Sequence, residues 1–183
     1  MKVVLASGSP RRKELLKIIY REFDVIKPDC DEPVLPSPVK TVKNLSRLKS
    51  DCIQRDCDVL ISADTIVVLS GKILGKPSDR AEAYDMLLSL QGKTHKVLTG
   101  VTIKYKRKGK FHYDTFCVCS SVVMKNMTAH EINAYIDTGS PLDKAGAYGI
   151  QDGVVSRHKG SYTNIVGLPI EKLTKKLKHH RLI

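Results

Sequence analysis

Apolar positions along this chain switch between two periods, and the switches mark out strands and helices. Lys2-Val3-Val4-Leu5-Ala6 is a short unbroken apolar run, the pattern of a buried strand. Ser9 then suits an N-cap and Pro10 the first helical position, with Leu15, Leu16, Ile18 and Ile19 as the apolar stripe of the helix that follows. Residues 23–27 predict a second strand, and Pro28 to Pro38 an acidic, proline-rich loop. Val42, Leu45, Leu48, Cys52 and Ile53 fall at helical spacing within residues 39–54. Residues 58–69 read as one or two central strands ending in a tight turn at Ser70-Gly71-Lys72. Ser78 or Asp79 caps a helix through Leu90, with Ala81, Ala83, Leu87 and Leu88 expected inward. Residues 95–106 and 111–124 predict two long strands joined by the basic turn Arg107-Lys108-Gly109-Lys110. Thr128-Ala129-His130-Glu131 has the form of a capping box, opening a helix to about Asp137 that Gly139 and Pro141 stop. Residues 143–167 are glycine-rich and suggest a hairpin, and 169–180 a final basic helix. Alternating strands and helices make the class α/β with a mixed sheet. With 183 residues and neither repeat nor linker, one domain over 1–183 is expected.

Composition sharpens this. At 42% hydrophobic and 27% charged residues the chain is globular rather than disordered. Lys and Arg number 31 against 19 Asp and Glu, a formal charge of +12 that favours polyanionic partners. No apolar run reaches the ~18 residues of a membrane span, and the apolar opening is too short for a signal peptide, so a soluble cytoplasmic protein is expected. Cys30, Cys52, Cys57, Cys117 and Cys119 contain no CxxC pair and read as reduced structural thiols, with Cys117 and Cys119 on one strand face.

Four features fit poorly as core or as plain surface. Ser7-Gly8-Ser9-Pro10-Arg11-Arg12 sits at a strand-to-helix junction, where unpaired N–H groups, two hydroxyls and two arginines suit a phosphate; the alternative is a capped helix with exposed arginines. The P-loop spacing is absent. Asp64 is the sole charge between Val59 and Leu69, which a metal or a cationic ligand would explain, as would a strand end or bulge. Lys49 falls between Leu45 and Ile53 on the helical wheel, inside the apolar stripe, either as a functional cation or as a snorkelling lysine. Asp29, Asp31 and Glu32 form an acidic loop in a basic chain, a candidate for divalent metal or merely a solvated loop. Gly75-Lys76-Pro77 adds one more cation. Together they point to phosphoryl or nucleotidyl transfer, in which the protein mainly positions the substrate and neutralises charge.

These residues resemble the Maf-like nucleoside triphosphate pyrophosphatases. Leu5 to Arg12, Ser62-Ala63-Asp64-Thr65-Ile66-Val67, Gly75-Lys76-Pro77, Leu142 to Gln151 and Val166-Gly167-Leu168-Pro169 follow the order of that family's motifs. The resemblance implies an elongated, curved mixed sheet flanked by helices, two lobes about a central cleft, and the fold of the inosine triphosphate pyrophosphatases. It implies hydrolysis of a nucleoside triphosphate to monophosphate and pyrophosphate with Mg²⁺ or Mn²⁺, and a possible homodimer. By the same resemblance Asp64 is the catalytic carboxylate and, with Glu32, the metal ligand, with Asp31 adjacent as the alternative in register. Ser7, Ser9, Arg11, Arg12, Lys49 and Lys76 would bind phosphates, and Thr65 and Gln151 would help read the base. Asp64-Thr65 and the run Lys144 to Gly149 resemble the dTTP/UTP branch rather than the 7-methyl-GTP branch, whereas Asp152-Gly153 and Ser156 to Lys159 depart from the commoner pattern.

Two other readings remain. One is a housecleaning enzyme for inosine- or xanthosine-type triphosphates. The other is a nucleic-acid-binding regulator, favoured by the basic segments 104–110 and 175–181 but opposed by 5% aromatics, no Trp and no recognised binding motif.

Overall fold

The computed structural model describes residues 1–31 and 33–183. In chain order the elements are β1 (Val3–Ala6), α1 (Pro10–Leu16), β2 (Asp24–Ile26), α2 (Pro38–Asp51), β3 (Val59–Leu69), β4 (Lys72–Leu74), α3 (Arg80–Leu90), β5 (Thr94–Arg107), β6 (Lys110–Met124), α4 (Ala129–Asp137), β7 (Val155–Lys159), α5 (Tyr162–Val166) and α6 (Ile170–His179). Three 3₁₀ turns, at Ser140–Asp143, Ala145–Ala147 and Ile150–Asp152, separate α4 from β7.

The strands form one open mixed sheet in the order β2-β1-β3-β5-β6-β7, with β4 also on β3. β1 runs parallel to β2 and β3, and the other pairs are antiparallel. Both tight hairpins use two consecutive residues with φ > 0, Ser70-Gly71 and Lys108-Gly109, which suits the right-handed twist of the flanking strands. Side chains alternate across β3. Val59, Ile61 and Ala63 join Leu16, Leu173 and Leu177 on one face. Val67, on that same face, joins α3 and α4 through Ala83, Leu87, Leu90 and Ile132. Leu60, Ile66 and Val68 point the other way, towards α2 and Ile53.

The sheet forks along β3. β1 pairs with Val59 to Ser62, and β4 pairs with Val67 to Leu69. Among the described residues no strand lies beside Ala63, Asp64, Thr65 and Ile66 on that edge, although β5 pairs with all four on the other. The C-terminal end of β1 feeds the Ser7-Gly8-Ser9 loop into this gap. It is the counterpart, in this mixed sheet, of the crevice beyond the strand ends where open α/β sheets take ligands.

α2 lies unusually close to the sheet. A Cβ on Gly100 would stand 2.1 Å from the Val42 carbonyl oxygen, so only glycine lets the helix backbone seat here. Ser62 Oγ donates to the Ser46 carbonyl at 2.6 Å, and the Ser46 and Thr102 hydroxyls meet at 3.0 Å. Small polar residues thus do the work that bulky apolar ones do elsewhere, and the close seating brings Lys49 to β3.

Local expectations fail where tertiary packing decides. α1 ends at Leu16, and Ile18 is 67% exposed instead of lying in a stripe. In α3 the buried positions are Ala83, Met86, Leu87 and Leu90, while Ala81 and Leu88 face solvent. Cys57 is buried, but Cys52 and Cys119 are exposed, so the shared strand face of Cys117 and Cys119 is not a buried one. Residues 143–167 hold no hairpin: β7 pairs across the sheet with β6, and α5 follows it.

Candidate active site

A cleft of about 640 Å³ opens at the fork, lined by Ser7, Ser9, Arg11, Arg12, Lys49, Asp64, Thr65, Lys76 and Gln151 among others. Every described residue singled out above for catalysis or binding therefore reaches one cavity. Glu32 lies outside the described residues, and Asp31 is exposed and does not line the cleft.

Asp64 is 6% exposed and Lys49 8%. Lys49 Nζ donates to Asp64 Oδ1 at 2.6 Å. The lone acid of β3 and the misplaced cation of α2 are thus the two halves of one buried ion pair. Asp64 lies on the α2 face of β3 and Thr65 on the opposite face. Both border the cleft because the fork leaves this edge of β3 uncovered.

Thr65 belongs to the arginine side. Arg12 Nη2 donates to Thr65 Oγ1 at 3.0 Å, Arg12 Nε to the Gly167 carbonyl at 2.8 Å, and Arg12 Nη1 to Ser7 Oγ at 3.4 Å. Gly167 has φ +124° and closes α5, which aims its carbonyl neighbourhood at Arg12. Thr65 Oγ1 also lies 3.0 Å from Thr99 Oγ1, which donates to the Asn164 carbonyl. The guanidinium is thereby fixed before any ligand arrives, the preorganisation that electrostatic catalysis requires. Ser9 caps α1 through its Oγ, and its own N–H donates to Ser7 Oγ at 3.1 Å. With only seven residues, α1 contributes little dipole, so the anion affinity of this corner comes from the side chains.

Arg11 reaches across the cleft mouth to Asp143 Oδ2 at 3.0 Å. Asp143 also accepts from Lys144 Nζ at 3.0 Å. Burial pushes the Asp143 pKa up, but the hydrogen bonds from Lys144 and Arg11 outweigh it and hold the carboxyl below its ordinary value. Lys144 Nζ further binds the carbonyl and hydroxyl of Ser140, at 2.5 and 2.8 Å. Asp152 Oδ2, beside Gln151, accepts from Tyr135 at 2.5 Å and from Ser140 at 2.8 Å. This network shapes the wall that presents Gln151.

Two cations in the lining, Lys27 and Lys144, were not singled out from sequence. Lys27 packs its aliphatic stem 3.3 Å from where a Cβ on Gly8 would stand. Lys27 has no local pattern that marks it, and Lys144 stands in the sequence only as the start of the run to Gly149 that carries the resemblance, with no role attached; both arrive through loops whose path depends on the whole sheet. Lys76 is exposed at the rim.

Tyr148 lines the cleft floor with its hydroxyl 2.6 Å from His95 Nε2. Burial pulls the His95 pKa down to about 4 and raises that of Tyr148 above its ordinary value. Between the ordinary His value near 6.5 and about 4 the unfolded chain binds a proton that the folded one refuses. His95 therefore costs stability progressively as pH falls from ~6.5 towards 4, and none above that window. The melting temperature should fall across this window in the unaltered protein and much less in His95→Gln.

The sequence matches the Maf-like protein family over residues 2–180. This chain belongs to the Maf-like family. A dTTP/UTP pyrophosphatase of Carboxydothermus hydrogenoformans is 43% identical over 187 residues, covering 97% of this chain and 98% of that protein. One from Thermosipho africanus is 45% identical over 177 residues, covering 94% and 90%. One from Bacillus anthracis is 42% identical over 188 residues, covering 99% and 96%. The alignments cover most of each chain, and the family match over residues 2–180 takes in every element that builds the cleft of this Maf-like protein.

Proposed function

We propose that this protein hydrolyses nucleoside triphosphates, with dTTP and UTP as preferred substrates, to the monophosphate and pyrophosphate. One observation carries the reading: a cleft at the sheet fork that gathers Arg11, Arg12, Lys27, Lys49, Lys76 and Lys144 around the buried carboxylate Asp64. A triphosphate needs that density of positive charge, and an attacking water needs an acceptor. The names of the relatives support the same reading.

In this scheme Ser7, Ser9, Arg11 and Arg12 hold the triphosphate. Asp64 orients the attacking water and accepts its proton, while the hydrogen bond from Lys49 holds the carboxylate in place. Arg12 and Lys76 take up the negative charge that builds on the departing pyrophosphate. Gln151 contacts the base, while Thr65, whose hydroxyl is engaged by Arg12 and Thr99, holds the arginine rather than reading the base. Arg11 exchanges Asp143 for a phosphate oxygen, a modest cost because the Asp143 side chain is half-exposed.

A divalent cation fits the donor set. Among the described residues no group of three His, Cys, Asp or Glu could form a protein cage for it. Mg²⁺ needs none: it is commonly held by one or two carboxylates with substrate phosphates and waters. Asp64 Oδ2 accepts no hydrogen bond among the described residues, so it is open to a cation, and Glu32 would be the second ligand. Such an ion would supply charge neutralisation between phosphates and a more acidic water. Among the described residues no helix is long and apolar enough to cross a membrane.

The test is a plate of triphosphates against Mg²⁺ and Mn²⁺, scored for pyrophosphate. dTTP and UTP should lead. A wide margin for ITP or 7-methyl-GTP would move the protein to another branch, and no pyrophosphate from any nucleotide would remove the enzymatic reading.

A further inference from the structure

A chain of hydrogen bonds runs from the cleft into the sheet, and the supply of hydrogens fixes its direction. Thr99 is fully buried and stands one strand away from the cleft, directly opposite Thr65 in the β3–β5 register. Its Oγ1 donates to the main-chain carbonyl of Asn164 at 2.9 Å. A hydroxyl carries one hydrogen and a carbonyl only accepts, so Thr99 has none left to give. The 3.0 Å contact between the two threonine hydroxyls therefore runs from Thr65 to Thr99. This commits the Thr65 hydrogen away from the cleft and leaves a lone pair of Thr65 Oγ1 for Arg12 Nη2, 3.0 Å away. The order from Arg12 through Thr65 and Thr99 to the Asn164 carbonyl has no second arrangement in this geometry.

The far end of the chain is anchored. Asn164 is fully buried, and its Nδ2 donates to the Val97 carbonyl at 3.1 Å and to Ser120 Oγ at 3.0 Å, which ties α5 to β5 and β6. Ser120 Oγ in turn donates at 3.0 Å to the carbonyl of Ser161, the residue that caps the same helix. A second route leads from Arg12 to the same place. Its Nε donates to the Gly167 carbonyl at 2.8 Å, and the Gly167 N–H donates to the Asn164 carbonyl at 3.1 Å. Both routes from the guanidinium thus end on one main-chain oxygen. A planar fork held at two of its N–H groups is fixed in plane as well as in position.

We infer that Thr99 is a positioning residue for Arg12, acting through Thr65 by holding the Thr65 hydroxyl in the one orientation that accepts from the guanidinium. This rests on the hydrolysis proposed above, in which Arg12 binds the triphosphate and takes up charge from the departing pyrophosphate. Thr99→Val keeps the branched shape but offers Thr65 no acceptor. The Thr65 hydroxyl is then released to rotate, and orientations that aim its hydrogen at Arg12 repel the guanidinium. The Asn164 carbonyl still has the Gly167 N–H, so the substitution strands no buried acceptor at the anchor.

The test pairs steady-state pyrophosphate release from dTTP and UTP with calorimetric titration of inorganic tripolyphosphate, in the full-length protein. Thr99→Val should raise KM about 5- to 10-fold and weaken tripolyphosphate binding by a similar factor, whereas Thr99→Ser, which keeps the hydroxyl, should stay within about 2-fold on both. Thr99→Cys, a weak donor of similar bulk, takes the place of Thr99→Val if circular dichroism shows that variant unfolded, and should shift both readouts the same way. Thr65→Val should lose at least as much, since it removes the acceptor itself. The deciding comparison is Thr65→Val/Thr99→Val. Links in series predict no loss beyond that of Thr65→Val alone, where two independent structural defects would multiply. Pyrophosphate release from no nucleotide would remove the proposed function and leave the tripolyphosphate titration to judge the relay, so the two failures are distinguishable. Unaltered KM and tripolyphosphate affinity in Thr99→Val, equal losses in Thr99→Ser and Thr99→Val, or multiplied losses in the double variant would overturn the inference.

Discussion

Asp64→Asn should turn over dTTP and UTP at least ~10²-fold more slowly than the unaltered protein, with KM little changed. The substitution preserves shape and still accepts from Lys49, but it removes the proton acceptor and the negative charge that a cation would use. General-base removal alone accounts for a loss of ~10² to 10⁴. The effect should fall on kcat because the triphosphate is held mainly by the arginine corner, whose contacts run through Ser7, Thr65 and Gly167 and not through Asp64. Steady-state kinetics of pyrophosphate release measures this directly, and near-normal turnover by Asp64→Asn would remove Asp64 from the chemistry.

The second large effect is on stability. Lys49→Met should cost about 3–5 kcal/mol in denaturant unfolding, the usual consequence of stripping one partner from a buried ion pair. Both side chains are about nine-tenths buried, so solvent does little to screen the loss. The double variant Lys49→Met/Asp64→Leu should recover most of that stability, because two apolar side chains avoid the desolvation that the pair incurs. It should also be inactive. That combination, stable yet dead, would mean the pair is kept for what Asp64 does to water. A double variant as unstable as the single would instead make the pair a structural support.

How much of this could be read from the sequence depends on where each residue's partners lie. The strand at Val3–Ala6, the capped helices beginning at Pro10 and Ala129, and the long β5–β6 hairpin are written in local periodicity and caps, and they are present, whereas α2 shows its period but its cap, Ser37 before Pro38, falls in what reads as loop. Asp64 and Lys49 stood out because each breaks an apolar pattern, and the break itself located the cleft. The region after α4 was misread because Gly153 and Gly160 give local turn signals like those of a hairpin, while the partner of β7 is β6, more than 30 residues upstream. Arg12 was legible as a cation, but its partner Gly167 lies 155 residues away, and nothing in either segment announces it. Lys27 and Lys144 reach the cleft through loops, where no period constrains direction. The fork follows from register: β1 leaves β3 at Ser62 and β4 joins at Val67, a four-residue gap that no local pattern records.

The account holds that water, managed by Asp64 at the fork, attacks the phosphorus nearest the nucleoside. Hydrolysis of dTTP in ¹⁸O-labelled water tests this most directly, with both products resolved by mass spectrometry. The label should appear in dTMP, leaving pyrophosphate unlabelled. Label in pyrophosphate, or release of dTDP with inorganic phosphate, would contradict it.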